Sequence, residues 1–239
     1  MKNDGILGKV TWGKPALSLL KQSTQLDFKY PSIMVIRHSE RQELKELEKI
    51  HMAQITETGK KCAKQFGELL PTKINYHIYH SISTRTEDTA TEIHQGIIKN
   101  GGQSKLIGKC PLLSHILHYQ DSFNEYLSRD MGNFFNNWIS GLYPPYKLED
   151  SKLFARRFAH YACGELLEAK NNDMKIYVSH DIFILNYMFH WFGINLASEW
   201  LKYLDGFILQ IKKDEQHVYY KKGLKIIKIP FWLERSRKE

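Results

Sequence analysis

Short apolar runs alternate with amphipathic stretches along much of the chain. Ser32-Ile33-Met34-Val35-Ile36 is apolar and rich in β-branched residues, the pattern of a strand buried on both faces. Lys60 to Leu70 carries apolar Cys62, Ala63, Phe66, Leu69 and Leu70 at helical spacing, with Thr56-Glu57-Thr58-Gly59 ahead of it and Pro71 behind. Ile74, Tyr76 and Ile78 alternate with Asn75, His77 and Tyr79, which predicts a second strand ending at His80. Thr86 to Ile98 is helical by pattern, Gly101-Gly102 closes that unit, and Lys105 to Gly108 reads as a short strand. Lys175 to Ser179 is a further apolar strand, followed by an apolar helix from Ile182 to Phe192 that Gly193 stops. Gly206 to Lys212 and Gln216 to Lys222 read as a β-hairpin turning at Asp214-Glu215.

Two segments lack this simple rhythm. Residues 1–30 show no clear period and read as an extended or partly ordered lead-in. Residues 110–171 are helical in pattern and dense in aromatics: Tyr119, Phe123, Tyr126, Phe134, Phe135, Trp138, Tyr143, Tyr146, Phe154, Phe158 and Tyr161, with Pro144-Pro145 between the two helical pieces. An aromatic stripe at helical spacing is read first as core and second as a cap over a site. The expected fold is α/β: a doubly wound, mostly parallel sheet flanked by helices, with a helical cap over 110–171 and a C-terminal β-hairpin. At 239 residues one domain spanning 1–239 suffices.

Composition narrows this little. With 42% hydrophobic and 25% charged residues the chain is ordinary and globular, which excludes collagen, coiled coil and wholesale disorder. The 34 Lys+Arg against 26 Asp+Glu leave a net charge of +8, which suits an anionic partner. Much of that charge is scattered lysine, as at Lys212-Lys213, Lys221-Lys222 and Arg235-Ser236-Arg237-Lys238, and no nucleic-acid motif accompanies it. Nucleic acid is therefore not an expected partner. Cys62, Cys110 and Cys163 are far apart and form no CxxC pair, so neither a disulfide framework nor a structural zinc site is expected. No run approaches the roughly 18 apolar residues of a membrane span. The apolar stretches near the N-terminus are short and broken by lysines, unlike a signal peptide. A reducing, cytoplasmic setting is expected.

The chemistry gathers where predicted strands end. The first delivers Arg37, His38 and Arg41; the second is followed by Arg85; the late one delivers His180 and Asp181. Open α/β sheets bind ligands at such carboxyl ends. Guanidinium forks match phosphate oxygens, two histidines supply a nucleophile and a further donor, and one carboxyl supplies a general acid. There is no glycine-rich phosphate loop, no GxSxG elbow and no HExxH helix. The inventory points to phosphoryl transfer through a histidine, without a metal or other cofactor. His77/His80 and His115/His118 are spaced by three but lack partners at ligand spacing, so no metal site is expected there.

These residues resemble the histidine phosphatase superfamily, which includes phosphoglycerate mutases and histidine acid phosphatases. The matching elements are Arg37-His38-Ser39 for its Arg-His-Gly motif, Arg41, Ser81 to Ala90 with Arg85, Thr56-Glu57-Thr58-Gly59, and the His180-Asp181 pair of the acid-phosphatase branch. They occur in family order from residue 32 to about 193. The resemblance implies a metal-independent phosphatase that acts on a phosphomonoester, with His38 as nucleophile and Asp181 as general acid and then base. Arg37, Arg41, Arg85 and His180 would hold the phosphate oxygens. A hydrogen bond from the other ring nitrogen of His38 to a backbone carbonyl would fix its tautomer.

Two positions depart from the pattern: Ser39 replaces the usual glycine, where a side chain would narrow the approach to His38, and Gln42 replaces a proline. The chain is also too short for the large inserted domain of the acid phosphatases. Glu87 competes with Asp181 as acid, but its helical position two residues after Arg85 turns it away. The alternative for Arg41 is a surface salt bridge to Glu43 or Glu46. Competing functions are a phosphomutase of the same superfamily and a catalytically weak phospho-ligand binding module. The expected partner is a small phosphorylated substrate or a phosphoprotein. Oligomeric state is open, and the hairpin at 206–222 is the edge where pairing would occur.

Overall fold

The computed structural model describes residues 5–43, 52–114, 130–195 and 199–234. The His115/His118 pair, Glu46, the aromatics Tyr119, Phe123 and Tyr126, and the basic 235–238 end lie outside the described residues. The elements in chain order are α1 (Gly13–Ser23), β1 (Ser32–Arg37), α2 (Glu57–Leu69), β2 (Asn75–His80), α3 (Thr84–Lys99), β3 (Gln103–Lys109), α4 (Met131–Ile139), α5 (Ser151–Glu168), β4 (Asp173–Ser179), α6 (Asp181–Phe192), β5 (Gly206–Lys212), β6 (Glu215–Tyr220), β7 (Gly223–Lys228) and α7 (Phe231–Glu234).

The seven strands among the described residues form one mixed sheet in the order β3-β2-β4-β1-β5-β6-β7. The strands from β3 to β1 run parallel, and β5, β6 and β7 continue antiparallel. Alternate residues of each central strand enter opposite cores. Ile33, Val35, Tyr177, Phe207 and Leu209 face helices α4 to α6. Met34, Ile36, Ile78, Ile176 and Val178 face α1, α2 and α3. Burial on both faces is why β1 reads as an unbroken apolar run.

The aromatic segment supplies one of these cores. Phe134, Phe135 and Trp138 of α4 and Phe154 and Phe158 of α5 are buried, and Phe158 stacks on Tyr187 of α6 at 4.4 Å. Tyr146 is exposed. Among the described residues no helix is long and apolar enough to cross a membrane.

Two expectations need correction. Residues 13–23 are not a loose lead-in but helix α1, which buries Ala16, Leu19 and Leu20. That i, i+3, i+4 stripe is present in the sequence, yet interspersed lysines mask it, and tertiary packing decides the outcome. Gln22 Nε2 of this helix donates to the carbonyl of Tyr220 at 2.6 Å, tying α1 to β6. The C-terminal hairpin is not an exposed edge either. It turns at Lys213, where φ is 57°, and a second turn at Gly223, with φ of 114°, adds β7 outside it. Edge position and surface exposure thus pass to β7, whose Leu224 and Ile226 are half exposed.

The topology places the site. The chain leaves β1 through α2 to β2, on the far side of β4, and leaves β4 through α6 to β5, on the far side of β1. β1 and β4 are neighbours whose connections diverge to opposite faces, and a crevice opens at their carboxyl ends.

Candidate active site

His38 is the first residue after β1. Its backbone N–H donates to the Ser179 carbonyl at 2.9 Å, extending the β1–β4 pairing into the crevice, and the side chain is buried. Nδ1 lies 2.7 Å from the Ser39 carbonyl oxygen. A carbonyl only accepts, so Nδ1 carries the hydrogen and Nε2 keeps its lone pair. Arg85 Nε donates to that Nε2 at 3.2 Å. Burial, and then the His180, Arg37 and Arg85 charges, hold the His38 pKa well below the usual 6.5, against the opposing pull of the Ser39 carbonyl.

Ser39 does not obstruct the nucleophile. It is wholly buried, its Oγ donates to the Gly59 carbonyl at 2.7 Å, and its N–H donates to Thr89 Oγ1 at 3.0 Å. The hydroxyl is turned into the α2 junction and lines no open space.

Arg85 sits in the first turn of α3 and bridges the two histidines. Its second bond runs from Nη2 to Nδ1 of His180 at 3.1 Å. A guanidinium only donates, so His180 carries its hydrogen on Nε2, which donates to Ser81 Oγ at 3.0 Å. Burial and then the Arg41 charge push the Arg85 guanidinium down to about 10, with Asp181 opposing and Arg37 adding to the shift. His180, the residue capping α6, is lowered well below 6.5 by burial and then by Arg85, Arg37 and Arg41. The two imidazoles stand 5.4 Å apart.

Arg37 and Asp181 form the other half of the pocket. Arg37 Nη2 meets Asp181 Oδ2 at 3.0 Å, and Nη1 donates to the Leu201 carbonyl at 2.6 Å. The guanidinium also lies 4.4 Å over the ring of Tyr203. Asp181 Oδ2 accepts a second hydrogen bond from Trp200 Nε1 at 2.7 Å, while Oδ1 accepts from Ile182 N at 3.0 Å.

Arg37, His38, Arg85, His180 and Asp181 thus gather in one pocket as two bonded sets, His38–Arg85–His180 and Arg37–Asp181, coupled by charge. Arg41 reaches it through charge alone, its Nη1 donating to the Gln42 carbonyl at 2.9 Å. Glu87 is exposed in the first turn of α3. His77 and His80 lie on opposite faces of β2, with His77 3.9 Å from Asp173.

Neither a protein-family model nor a curated protein matches this sequence. Solved structures do. Bacillus stearothermophilus YhfR aligns over 82% of this chain and 98% of its own, at 16% identity and a TM-score of 0.56. A mycobacterial glucosyl-3-phosphoglycerate phosphatase aligns over 82% of this chain and 96% of its own, at 12% identity and a TM-score of 0.53. A phosphoserine phosphatase from Entamoeba histolytica, solved with phosphoserine, aligns over 84% and 98%, at 15% identity and a TM-score of 0.50. These neighbours are histidine phosphatase superfamily proteins. This chain shares their α/β, phosphoglycerate mutase-like fold.

Within that fold the pocket has walls that no motif announces. Tyr203 lies 5.8 Å from the His38 ring and meets Trp12 edge-on at 5.3 Å. Trp12 Nε1 donates to Glu40 Oε1 at 3.1 Å, and Glu40 Oε2 accepts from Thr56 Oγ1 at 2.6 Å. Leu204, next to Tyr203, takes a left-handed φ of 56° although it has a Cβ, and its N–H donates to the Arg37 carbonyl at 3.2 Å. Trp200 and Tyr203 escaped the sequence reading, and Ser81 entered it only as the first residue of the Ser81 to Ala90 element, without its bond to His180. The only signal for the first two is a pair of aromatics in an aperiodic segment just before Gly206. Chemically, the arrangement offers a neutral imidazole whose Nε2 lone pair is met only by the Arg85 guanidinium among the described residues, a surplus of partly buried guanidiniums for an anion, and a carboxyl beside them.

Proposed function

We propose that this chain is a metal-independent phosphatase that hydrolyses a phosphomonoester through a phosphohistidine on His38. The observation that best supports this is the His38 tautomer: Nδ1–H is spent on the Ser39 carbonyl, and Nε2 stands neutral between the Arg37 and Arg85 charges. A nucleophile needs that lone pair, and its surroundings keep a proton off it.

In this reading a phosphate dianion engages Arg37, Arg85 and Arg41, and His180 joins them by turning its ring N–H from Ser81 Oγ to the phosphate, so that these donors meet the equatorial oxygens throughout the transfer. His38 Nε2 attacks phosphorus in line as the bond to the leaving oxygen breaks. Asp181 gives its proton to that oxygen. Asp181 then takes a proton from water as the water oxygen attacks the phosphohistidine, and inorganic phosphate leaves with Nε2 restored. The dianion itself prepares the acid: it competes with Asp181 for Arg37 and repels a carboxylate, which favours the protonated form. The His180-Asp181 pair brings the site closer to the acid-phosphatase branch than to the mutases. The substrate is a small phosphorylated molecule or a phosphoprotein, since the pocket selects for the phosphoryl group.

The test is phosphate release from 4-nitrophenyl phosphate and from alkyl phosphates with a chelator present. Wild type should turn over both. His38→Ala should be inactive, and Asp181→Asn should lose about a hundredfold on alkyl phosphates, the usual worth of a general acid. Undiminished turnover by His38→Ala would contradict the proposal. A requirement for a bisphosphate primer would assign the chain to the phosphomutases instead. Tight phosphate binding without turnover would mark a binding module.

A further inference from the structure

Asp181 is held from three directions, and of the three only Arg37 is also a phosphate ligand. Its Oδ2 accepts from Arg37 Nη2 at 3.0 Å and from Trp200 Nε1 at 2.7 Å, and its Oδ1 accepts from Ile182 N at 3.0 Å. Arg37 is shared property, because a bound phosphate also recruits its guanidinium. Once Nη2 turns to the phosphate, Trp200 and the backbone N–H of Ile182 are the donors among the described residues that still orient the carboxyl.

We propose that Trp200 is the positioning residue for proton transfer by Asp181. This rests on the reading of Asp181 as general acid. An indole N–H can donate but never accept. A protonated carboxyl accepts best at its carbonyl oxygen; the indole contact at 2.7 Å is shorter than the 3.0 Å contact from Ile182 N, so Trp200 assigns that part to Oδ2 and leaves Oδ1 as the oxygen that carries the proton. The indole can impose this because it is itself anchored. Its ring meets Phe135 of α4 edge-on at 5.9 Å, and Phe135 belongs to the buried core. The next residue, Leu201, offers the carbonyl that fixes Arg37 Nη1 at 2.6 Å. One short segment therefore holds both the acid and the arginine that releases it, and keeps the two in register as the phosphate arrives.

The variant that isolates this role is Trp200→Phe, which keeps an aromatic ring against Phe135 and removes the N–H. Its kcat/KM should be compared with wild type on 4-nitrophenyl phosphate, whose leaving group needs no proton, and on an alkyl phosphate, whose leaving group does. The expected result is a change under about threefold on the first and a loss of about tenfold or more on the second. In an Asp181→Asn background the same substitution should cost nothing further. Equal losses on both substrates, or an additive loss beside Asp181→Asn, would overturn the proposal.

Inorganic phosphate binding by Trp200→Phe should match wild type, since the arginines remain. If that variant does not fold, the indole N–H resonance of Trp200 in the otherwise native chain must move in Asp181→Asn, and an unmoved resonance overturns the proposal equally. His38→Ala separates this inference from its foundation. Turnover that survives His38→Ala defeats the phosphohistidine reading itself, whereas turnover that requires His38 but ignores Trp200 defeats only the positioning role.

Discussion

Two neutral imidazoles 5.4 Å apart, surrounded by guanidiniums, govern how this pocket responds to protons. Both His38 and His180 are lowered well below 6.5, first by burial and then by neighbouring positive charge. Above pH 6.5 neither the folded nor the unfolded chain protonates them, and they add no pH dependence. Below it the unfolded chain binds protons that the folded chain refuses. Stability should therefore fall on acidification, with a slope that approaches about 1.4 kcal/mol per pH unit for each histidine as the unfolded chain becomes fully protonated. Urea unfolding between about pH 6.5 and 5 should show this slope, reduced by one histidine's share in His180→Asn; an unchanged slope would contradict it. A second expectation concerns Asp181. Binding of inorganic phosphate should take up a proton that Asp181→Asn does not take up, measurable by titration calorimetry in buffers of different ionisation enthalpy. Equal uptake in both would remove the carboxyl from the proton account. The identity of these groups was legible in the sequence because each lies directly beyond a strand or at a helix start. Their tautomers were not, since these depend on which carbonyl or guanidinium each ring nitrogen meets.

At the scale of elements, the junction between β1 and α2 sets the nucleophile's aim. A Cβ added at Gly59 would lie 2.3 Å from the Glu40 carbonyl oxygen, so α2 presses directly on the backbone that follows His38. Gly59→Ala should push residues 39–40 aside, disturb the Ser39 carbonyl that orients His38, and lower kcat along with stability by about 1–3 kcal/mol. Ser39→Gly removes only the hydroxyl bond to Gly59 and should cost about 1 kcal/mol of stability with kcat unchanged. Thermal unfolding and steady-state kinetics on the two variants distinguish them; a loss of kcat in Ser39→Gly would mean the hydroxyl shapes the site after all. The strands β1, β2 and β4 were readable because burial imposes an apolar run or a strict alternation. Helix α1 was obscured because its narrow stripe of Ala16, Leu19 and Leu20 is diluted by Lys14 and Lys21. The segment carrying Trp200 and Tyr203 has no period at all, and its place is set by contacts with Arg37 and Asp181 rather than by its own pattern.

For the whole molecule, the divergent connections of β1 and β4 turn residues far apart in sequence into one cationic crevice. The doubly wound order made that convergence foreseeable from strand ends alone. The aromatic wall was not foreseeable, because Trp12 and Tyr203 come from opposite ends of the chain and meet only through tertiary packing. The net charge of +8 should act on encounter more than on chemistry. Raising ionic strength from about 0.02 to 0.5 M should lower kcat/KM for a phosphate dianion several-fold while kcat holds, because screening weakens long-range attraction. A matching fall in kcat would place the salt effect inside the pocket.

The account stands on phosphorylation of His38. Rapid acid-free quenching of the enzyme during turnover of a radiolabelled phosphomonoester, followed by peptide mapping, reads this directly. The expected result is an acid-labile, base-stable label on the peptide containing His38, absent in His38→Ala and longer-lived in Asp181→Asn. Label on another residue, or undiminished turnover without any label on His38, would contradict it.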